Sequence, residues 1–254
     1  MQMLYEYNSI ISSKIDLDNI EKIEKLRENL HINNGILRNI IDNDAIDGVL
    51  IEGNQLDRYE ITMFLQDGIT VRGKLFKDFV QAKNYHRTLE RLTSDIFRGK
   101  MELSEGLIKS IHRVVTAGEI EPEYSGQYRD DAVFLRTTDR VPPYFSEVPD
   151  NIAYLIEQYH RPLEYETQFE RICEFKRNFE LIHPFFDGNG RTGRVLMNML
   201  FLQNGYSYVP IPFKDRKEYF DSLENNNFVS FMAPHMIQSM EKVQTIEKDF
   251  LQER

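Results

Sequence analysis

Residues 183–194 read HPFFDGNGRTGR, which places one histidine, one aspartate, three glycines and two arginines in twelve positions. Each type has a use in phosphate chemistry. Gly188, Asn189 and Gly190 precede a helical run and leave little side-chain bulk over its first amides. Those amides lack intrahelical acceptors and the helix dipole is positive there, so the turn suits an anion. Arg191 and Arg194 are three apart, so both guanidinium groups lie on one side of the first turn. Two cations at that end oppose the dipole unless an anion is present, and guanidinium forks match phosphate oxygens. Asp187 is a hard oxygen ligand suited to Mg²⁺ beside phosphates. His183 can accept a hydroxyl proton near neutral pH. Base, metal ligand and polyphosphate cradle together describe phosphoryl or nucleotidyl transfer. An EF-hand reading fails, because Arg191 stands where an oxygen is needed and Asn198 where a bidentate Glu should be. No GxxxxGK[ST] occurs, which excludes a P-loop.

The elements that must hold these residues are helical. DLDNIEKIEKLRENL (16–30) opens with Asp16 as an N-cap and spaces Ile20, Ile23 and Leu26 along one face. A second helix spans about 35–54 and stops at Gly53, and others are expected near 57–66 and 74–98. The stretch 103–118 starts from a Ser104 cap and ends at a Gly118 C-cap. Helices resume near 146–160, 164–182, 190–204, 215–225 and 228–250. The exception is 128–145, where Val133, Phe134 and Leu135 are β-prone, TTDR supplies a turn, and Pro142-Pro143 forbids a helix. The fold class is therefore all-α with one β-hairpin flap.

Composition narrows the function classes. Hydrophobic residues make up 41% and charged residues 28%, as in a soluble globular protein. Thirty-one Lys and Arg against 41 Asp and Glu give a net charge of −10, so a whole-protein basic field for nucleic acid is absent. The single Cys173 lies in an apolar helical pattern, which excludes an internal disulfide framework and suggests a buried, inert thiol. No apolar run reaches the ~18 residues of a membrane span, and the N-terminus lacks a signal-peptide pattern. A cytoplasmic location is expected.

The twelve residues match the pattern HPFx[D/E]GNGRxxR at every fixed position, and in this the chain resembles Fic-domain proteins. GLIKSIHRVV, SGQYRDDAVFLR, VPPYFSEVP and EYFDSLENNN follow in that family's order, so the resemblance covers about residues 100–230. It implies a Fic-type helical bundle with a flap, an N-terminal helical region over 1–99, and a C-terminal helix over 231–254 packed on the core. It implies transfer of AMP from ATP to a Tyr, Thr or Ser hydroxyl of a target protein or of the chain itself, with Mg²⁺ or Mn²⁺. His183 would be the general base, Phe185 a buried wedge, and Asp187 the metal ligand. The Gly188–Arg191 turn would take the α- and β-phosphates and Arg194 the γ-phosphate, with Asn189, Gly190, Thr192 and Gly193 in the same ATP-binding loop. Gly190 stands where kinase relatives carry lysine, which leaves room for the α-phosphate and favours AMP transfer. Val133, Phe134, Leu135 and Arg136 would pair with an extended target segment by strand addition. Tyr219 and Asn227 match adenine-pocket positions, although a core tyrosine and a helix end describe them equally well. A homodimer is a further expectation; nucleic acid and membrane partners are not expected.

LIEGN (50–54) resembles the inhibitory segment [S/T]xxxE[G/N]N of many Fic proteins. Glu52 would pair with Arg194 and block productive γ-phosphate binding from an inhibitory helix at about 36–54. Gly48 stands where that segment carries Ser or Thr. A mid-helix glycine costs ~1 kcal/mol relative to alanine, so Gly48→Ser is expected to strengthen the helix and the brake. Removal of AMP from modified targets, transfer of UMP or phosphocholine, and a nucleotide-sensing interaction module are the competing readings.

Overall fold

The computed structural model describes residues 14–32, 34–96, 99, 101–135 and 140–252. Among them run ten α-helices: α1 (Lys14–Arg27), α2 (Asn34–Ile51), α3 (Arg58–Asp67), α4 (Phe76–Ile96) and α5 (Glu105–Val115), then α6 (Val148–His160), α7 (Gln168–Ile182), α8 (Asn189–Gln203), α9 (Arg216–Glu224) and α10 (Phe228–Gln252). Helix ends follow local chemistry. Asp57 and Glu60 form a capping box on α3, and Thr167 and Glu170 form one on α7. Ser104 Oγ accepts from the Leu107 amide at 3.3 Å, as expected of a cap. Two expected ends differ. Asp16 lies inside the first turn of α1 rather than capping it. Helix α5 stops at Val115 with Thr116 as its cap, whose hydroxyl donates back to His112 O at 2.8 Å. Gly118, at φ 73°, turns the loop that follows instead.

The expected hairpin does not appear among the described residues, which contain no strand. Residues 132–135 run without regular structure, and Arg136 to Asp139 lie outside the described residues. On the described flanks Phe134 and Val141 are 96% and 86% exposed, while Val133 and Leu135 are half-buried.

Helix α8 is the centre. Residues Asn189 to Phe201 are all buried, with α7, α4 and α5 packed around them. Helix α2 lies along α4, α1 along α10, and α6 covers α7, so a single apolar cluster spans the chain. Cys173 is buried in that cluster as a free thiol, which burial pushes well above its ordinary pKa. Among the described residues no helix is long and apolar enough to cross a membrane. A helix buried on every side is normally apolar all round. The second half of α8 obeys this with Val195, Leu196, Met197, Met199, Leu200 and Phe201, the exception being Asn198, which pairs with the Val209 backbone. Its first turn carries Asn189, Arg191, Thr192 and Arg194, all buried. How those groups are satisfied defines the site.

Candidate active site

The loop between α7 and α8 is held by its own backbone and by two side chains. His183 ends α7 in a left-handed conformation (φ 51°, ψ 61°), uncommon for a residue with a Cβ. Arg129, itself buried, holds it there: its amide donates to Pro184 O, and its guanidinium donates to His183 O at 2.9 Å and to Pro143 O. Asn189 closes the loop by accepting from the Phe185 amide at 2.9 Å and donating to Phe185 O at 2.7 Å. Phe185 is fully buried and stacks on His112 at 3.7 Å between centroids. His112 Nδ1 accepts from the Gly126 amide, so its Nε2 carries the proton and donates to Asp187 O at 2.9 Å. Burial lowers the His112 pKa to about 4, which keeps the ring neutral in that role. Burial also lowers the His183 pKa, outweighing Glu180, which acts the other way. His183 is thus neutral at pH 7 and able to take a proton.

Both arginines of the first turn meet carboxylates supplied by the chain. Arg191 Nη1 lies 2.8 Å from each oxygen of Glu119, and both side chains are buried. Arg194 Nη1 donates to Glu52 Oε1 at 2.6 Å, and Nη2 donates to Gly48 O at 2.6 Å. The two guanidinium groups therefore diverge to separate partners instead of sharing one anion. Glu52 follows the last residue of α2 because that helix ends in a Schellman turn. The Asn54 amide bonds Val49 O, the Gly53 amide bonds Leu50 O, and Gly53 has φ 90°. Asn54 then locks the turn by donating to Asp78 O and Gln81 Oε1. The Glu52 carboxylate comes to rest against Gly190, where a Cβ would lie 2.7 Å from Glu52 Cδ. A side chain at position 190 and this carboxylate exclude each other.

Gly48 receives a different explanation from the one expected. A Cβ there would lie 2.9 Å from Tyr85 Cζ and closer still to Cε1. The tyrosine ring fills the notch, donates its hydroxyl to Asp44 at 3.2 Å, and lies 5.7 Å from Arg194 Cζ. Tyr208 donates to the same Asp44 oxygen. Burial raises the Asp44 pKa to about 6 against the lowering pull of Tyr208, Arg194 and Tyr85. In this chain glycine fits because an aromatic ring from α4 stands where a Ser or Thr side chain would go.

Asp187 accepts from the Gly188 amide at 2.6 Å and has Lys77 Nζ at 3.5 Å and Arg191 Nη2 at 3.7 Å. Burial pushes its carboxyl up, but Arg191, the Gly188 amide and Lys77 outweigh it and hold the group ionised. Gly188 caps α8 in a left-handed conformation, and its carbonyl accepts the Thr192 amide. Gly193 leaves room for Lys176, whose Nζ would lie 2.9 Å from a Cβ there. Tyr219 is buried near Arg194 and Lys176, and its hydroxyl has no hydrogen-bond partner among the described residues. Asn227 is exposed between α9 and α10. Val133 and Leu135 are half-buried. The structure adds Glu119, Arg129, His112, Tyr85 and Asp44, which sequence reasoning did not single out. His112 and Arg129 lay in stretches already noted, and Asp44 and Tyr85 in expected helices, but nothing in their spacing tied any of them to the loop at 183–194.

Residues 102–201 match the Fic/DOC family model. The chain carries a Fic domain. Its Fic motif, 183–194, lies inside that range. Protein adenylyltransferase fic-1 of Caenorhabditis elegans is 29% identical over 203 residues, 76% of this chain and 39% of the relative. Protein adenylyltransferase Fic of Drosophila ananassae is 30% identical over 196 residues, 72% of this chain and 37% of the relative. The chain thus spans less than half the length of the curated relatives it matches. Among solved structures, Fic-1 from C. elegans superposes with a TM-score of 0.77 over 92% of this chain and 73% of its own, at 24% identity. A Fic domain containing signaling protein from Bacteroides thetaiotaomicron gives 0.73 over 90% and 94%, at 21% identity. These structures share the Fic fold with the helices described above.

Two consequences are testable. Gly48→Ser should destabilise the protein by roughly 1–3 kcal/mol through overpacking against Tyr85, reversing the helix-propensity expectation. Urea unfolding decides it, and a stabilised Gly48→Ser would refute the notch. The second concerns pH. As pH falls from 6.5 to about 4, unfolded His112 gains a proton that the folded ring refuses, so stability is lost. Between about 6 and 4, folded Asp44 gains a proton before the unfolded group does, so stability is gained. The two offset each other. Asp44→Asn removes the second and should deepen the acid loss by about 3 kcal/mol across that window. Parallel pH profiles of urea midpoints for parent and variant would contradict the assignment.

Proposed function

We propose that this Fic-domain protein is an adenylyltransferase that moves AMP from ATP to a hydroxyl of a protein, and that Glu52 restrains it. The observation that carries the reading is the seat of the Glu52 carboxylate. It rests against Gly190 at the N-terminus of α8 and is bonded to Arg194. An anion already sits where free amides, a helix dipole and a guanidinium converge, which is the position a phosphate group would take. The names of the C. elegans and Drosophila relatives support the same chemistry.

In the proposed reaction the target hydroxyl gives its proton to neutral His183 while its oxygen attacks the α-phosphorus and pyrophosphate leaves. The Gly188–Arg191 turn would hold the α- and β-phosphates through its amides, since the Arg191 side chain is committed to Glu119. Arg194, freed from Glu52, would take the γ-phosphate. Asp187 fits a divalent cation in one specific way. Among the described residues no group of three His, Cys, Asp or Glu could hold a metal alone. One half-exposed, ionised carboxylate fits Mg²⁺ when the phosphates complete the shell. The ion would neutralise phosphate charge. Tyr219, with its buried unpartnered hydroxyl, would border the adenosine. The exposed edge around Phe134 would dock an extended target segment by strand addition.

Glu52→Gly should raise protein labelling from [α-³²P]ATP at least tenfold over the parent, on itself or on added protein. Equal labelling would remove the inhibitory role. Loss of AMP from modified protein by the parent would favour the de-AMPylating alternative. In the Glu52→Gly background, His183→Ala should lower the rate by roughly 10²–10⁴ while ATP still binds, because the cradle is untouched. In the same background, Arg194→Ala should weaken ATP far more than ADP by calorimetry. Equal weakening would show that Arg194 does not read the γ-phosphate.

A further inference from the structure

Behind His183 lies a buried ionic line that the phosphate cradle does not use. Lys176 and Glu180 share one face of α7 at i and i+4, and His183, the left-handed C-cap of that helix, brings its ring beside Glu180. Lys176 is fully buried and its ammonium bonds Glu180 Oε2. The other oxygen, Oε1, lies 3.9 Å from His183 Nδ1. Each carboxylate oxygen therefore faces a different basic group. Burial works against both charges, yet Lys176 and then His183 hold Glu180 below the usual carboxylate range, and Glu180 holds Lys176 above its own. The pair stays ionised in a dry place. Such a pair carries a cost in desolvation, and well-packed apolar side chains of similar volume often stabilise a fold as well or better.

We propose that Glu180 is a positioning residue for His183, turning Nδ1 toward its carboxylate, leaving Nε2 for the substrate proton, and compensating the imidazolium when that proton arrives. This rests on the adenylyl-transfer reading, in which the proton passes from the target hydroxyl to Nε2. Lys176 keeps the carboxylate charged, and the space Gly193 leaves lets the lysine pass beneath α8. The other charged groups that act on His183 are Arg140 and Arg129, which oppose its protonation, and Glu52, which favours it. Arg129 also fixes its carbonyl. Glu180 is the nearest to the ring of the carboxylates on the same helix and the only one there paired with it.

The test uses the full chain with isotope-labelled histidine, with the His183 signal assigned by His183→Ala. Glu180→Gln should lower the His183 titration midpoint relative to the parent, because the charge that favours the imidazolium is gone. The other five of six histidines report whether the fold is intact. In the Glu52→Gly background, Glu180→Gln should lower the transfer rate about tenfold with little change in KM for ATP. The acidic limb of its pH–rate profile should move to lower pH, and Glu180→Asp should restore part of the rate and the limb. An unchanged midpoint overturns the proposal whatever the activity shows. If Glu180→Gln unfolds, Glu180→Asp supplies the same reading, its longer gap to Nδ1 giving an intermediate midpoint; an unmoved midpoint there also overturns it. Absence of transfer in every variant would sink the adenylyl-transfer reading, while the midpoint comparison still decides the Glu180–His183 coupling.

Discussion

Arg191 and Arg194 sit on the first turn of a helix that has no face to solvent, and a buried guanidinium without an anion costs several kcal/mol. Much of the architecture answers that constraint. Glu119 comes from the loop after α5 to meet Arg191, and Glu52 comes from the end of α2 to meet Arg194. Helices α4, α5 and α7 pack on α8, and the end of α2 reaches it through Gly48 and Glu52. The two pairs differ in a way that matters. The Glu119 side chain is wholly buried and cannot leave its partner without a large penalty, whereas the Glu52 side chain keeps a quarter of its surface open to solvent. One pair is structural by its burial; the other, on the proposed reading, exchanges its anion.

The loop before α8 shows the same economy of partners. His183 takes a left-handed backbone because Arg129 claims its carbonyl, and Arg129 also grips Pro143 on the far side of the segment expected to form the flap. Any movement at the base of that segment is therefore felt at the histidine. Phe185 and His112 stack beneath, and the neutral His112 carries the Asp187 carbonyl. His183, Asp187 and the two ends of the 129–143 segment hang from one set of buried bonds, although they are separated along the chain by up to some sixty residues.

Helix order and the functional loop were legible in the sequence because both rest on local chemistry. Periodic apolar positions, Ser104 at a cap and Gly53 at a Schellman turn act over a few residues. The motif at 183–194 is equally local. The partners of its arginines were legible only by resemblance for Glu52, and not at all for Glu119, since nothing near residue 119 encodes a meeting with residue 191. Gly48 illustrates the limit. Read along the helix it is a weak point, and only the Tyr85 ring from another helix turns it into a fitted notch. The flap expectation rests on local propensity alone, and its turn at 136–139 lies outside the described residues.

The brake and the substrate, on the proposed reading, compete for one guanidinium, and this sets how strongly one can restrain the other. Nucleotide binds productively only in molecules whose Glu52 has left Arg194, so its apparent affinity falls by the fraction of the population in that state. An ion pair with one exposed partner contributes only modestly on its own. Here it is reinforced by the Gly48 carbonyl on the same guanidinium, the Schellman turn, and the Tyr85–Asp44–Tyr208 bonds beneath. Displacing Glu52 alone breaks only the ion pair; displacing the end of α2 also breaks the Gly48 carbonyl bond and the Tyr85–Asp44–Tyr208 contacts. If they act together, a total of about 2.7 kcal/mol would suffice to keep roughly one molecule in a hundred open. The restraint then resides in how α2 docks on α4 rather than in the glutamate by itself, and a partner that shifts α2 could lift it without touching the phosphate cradle.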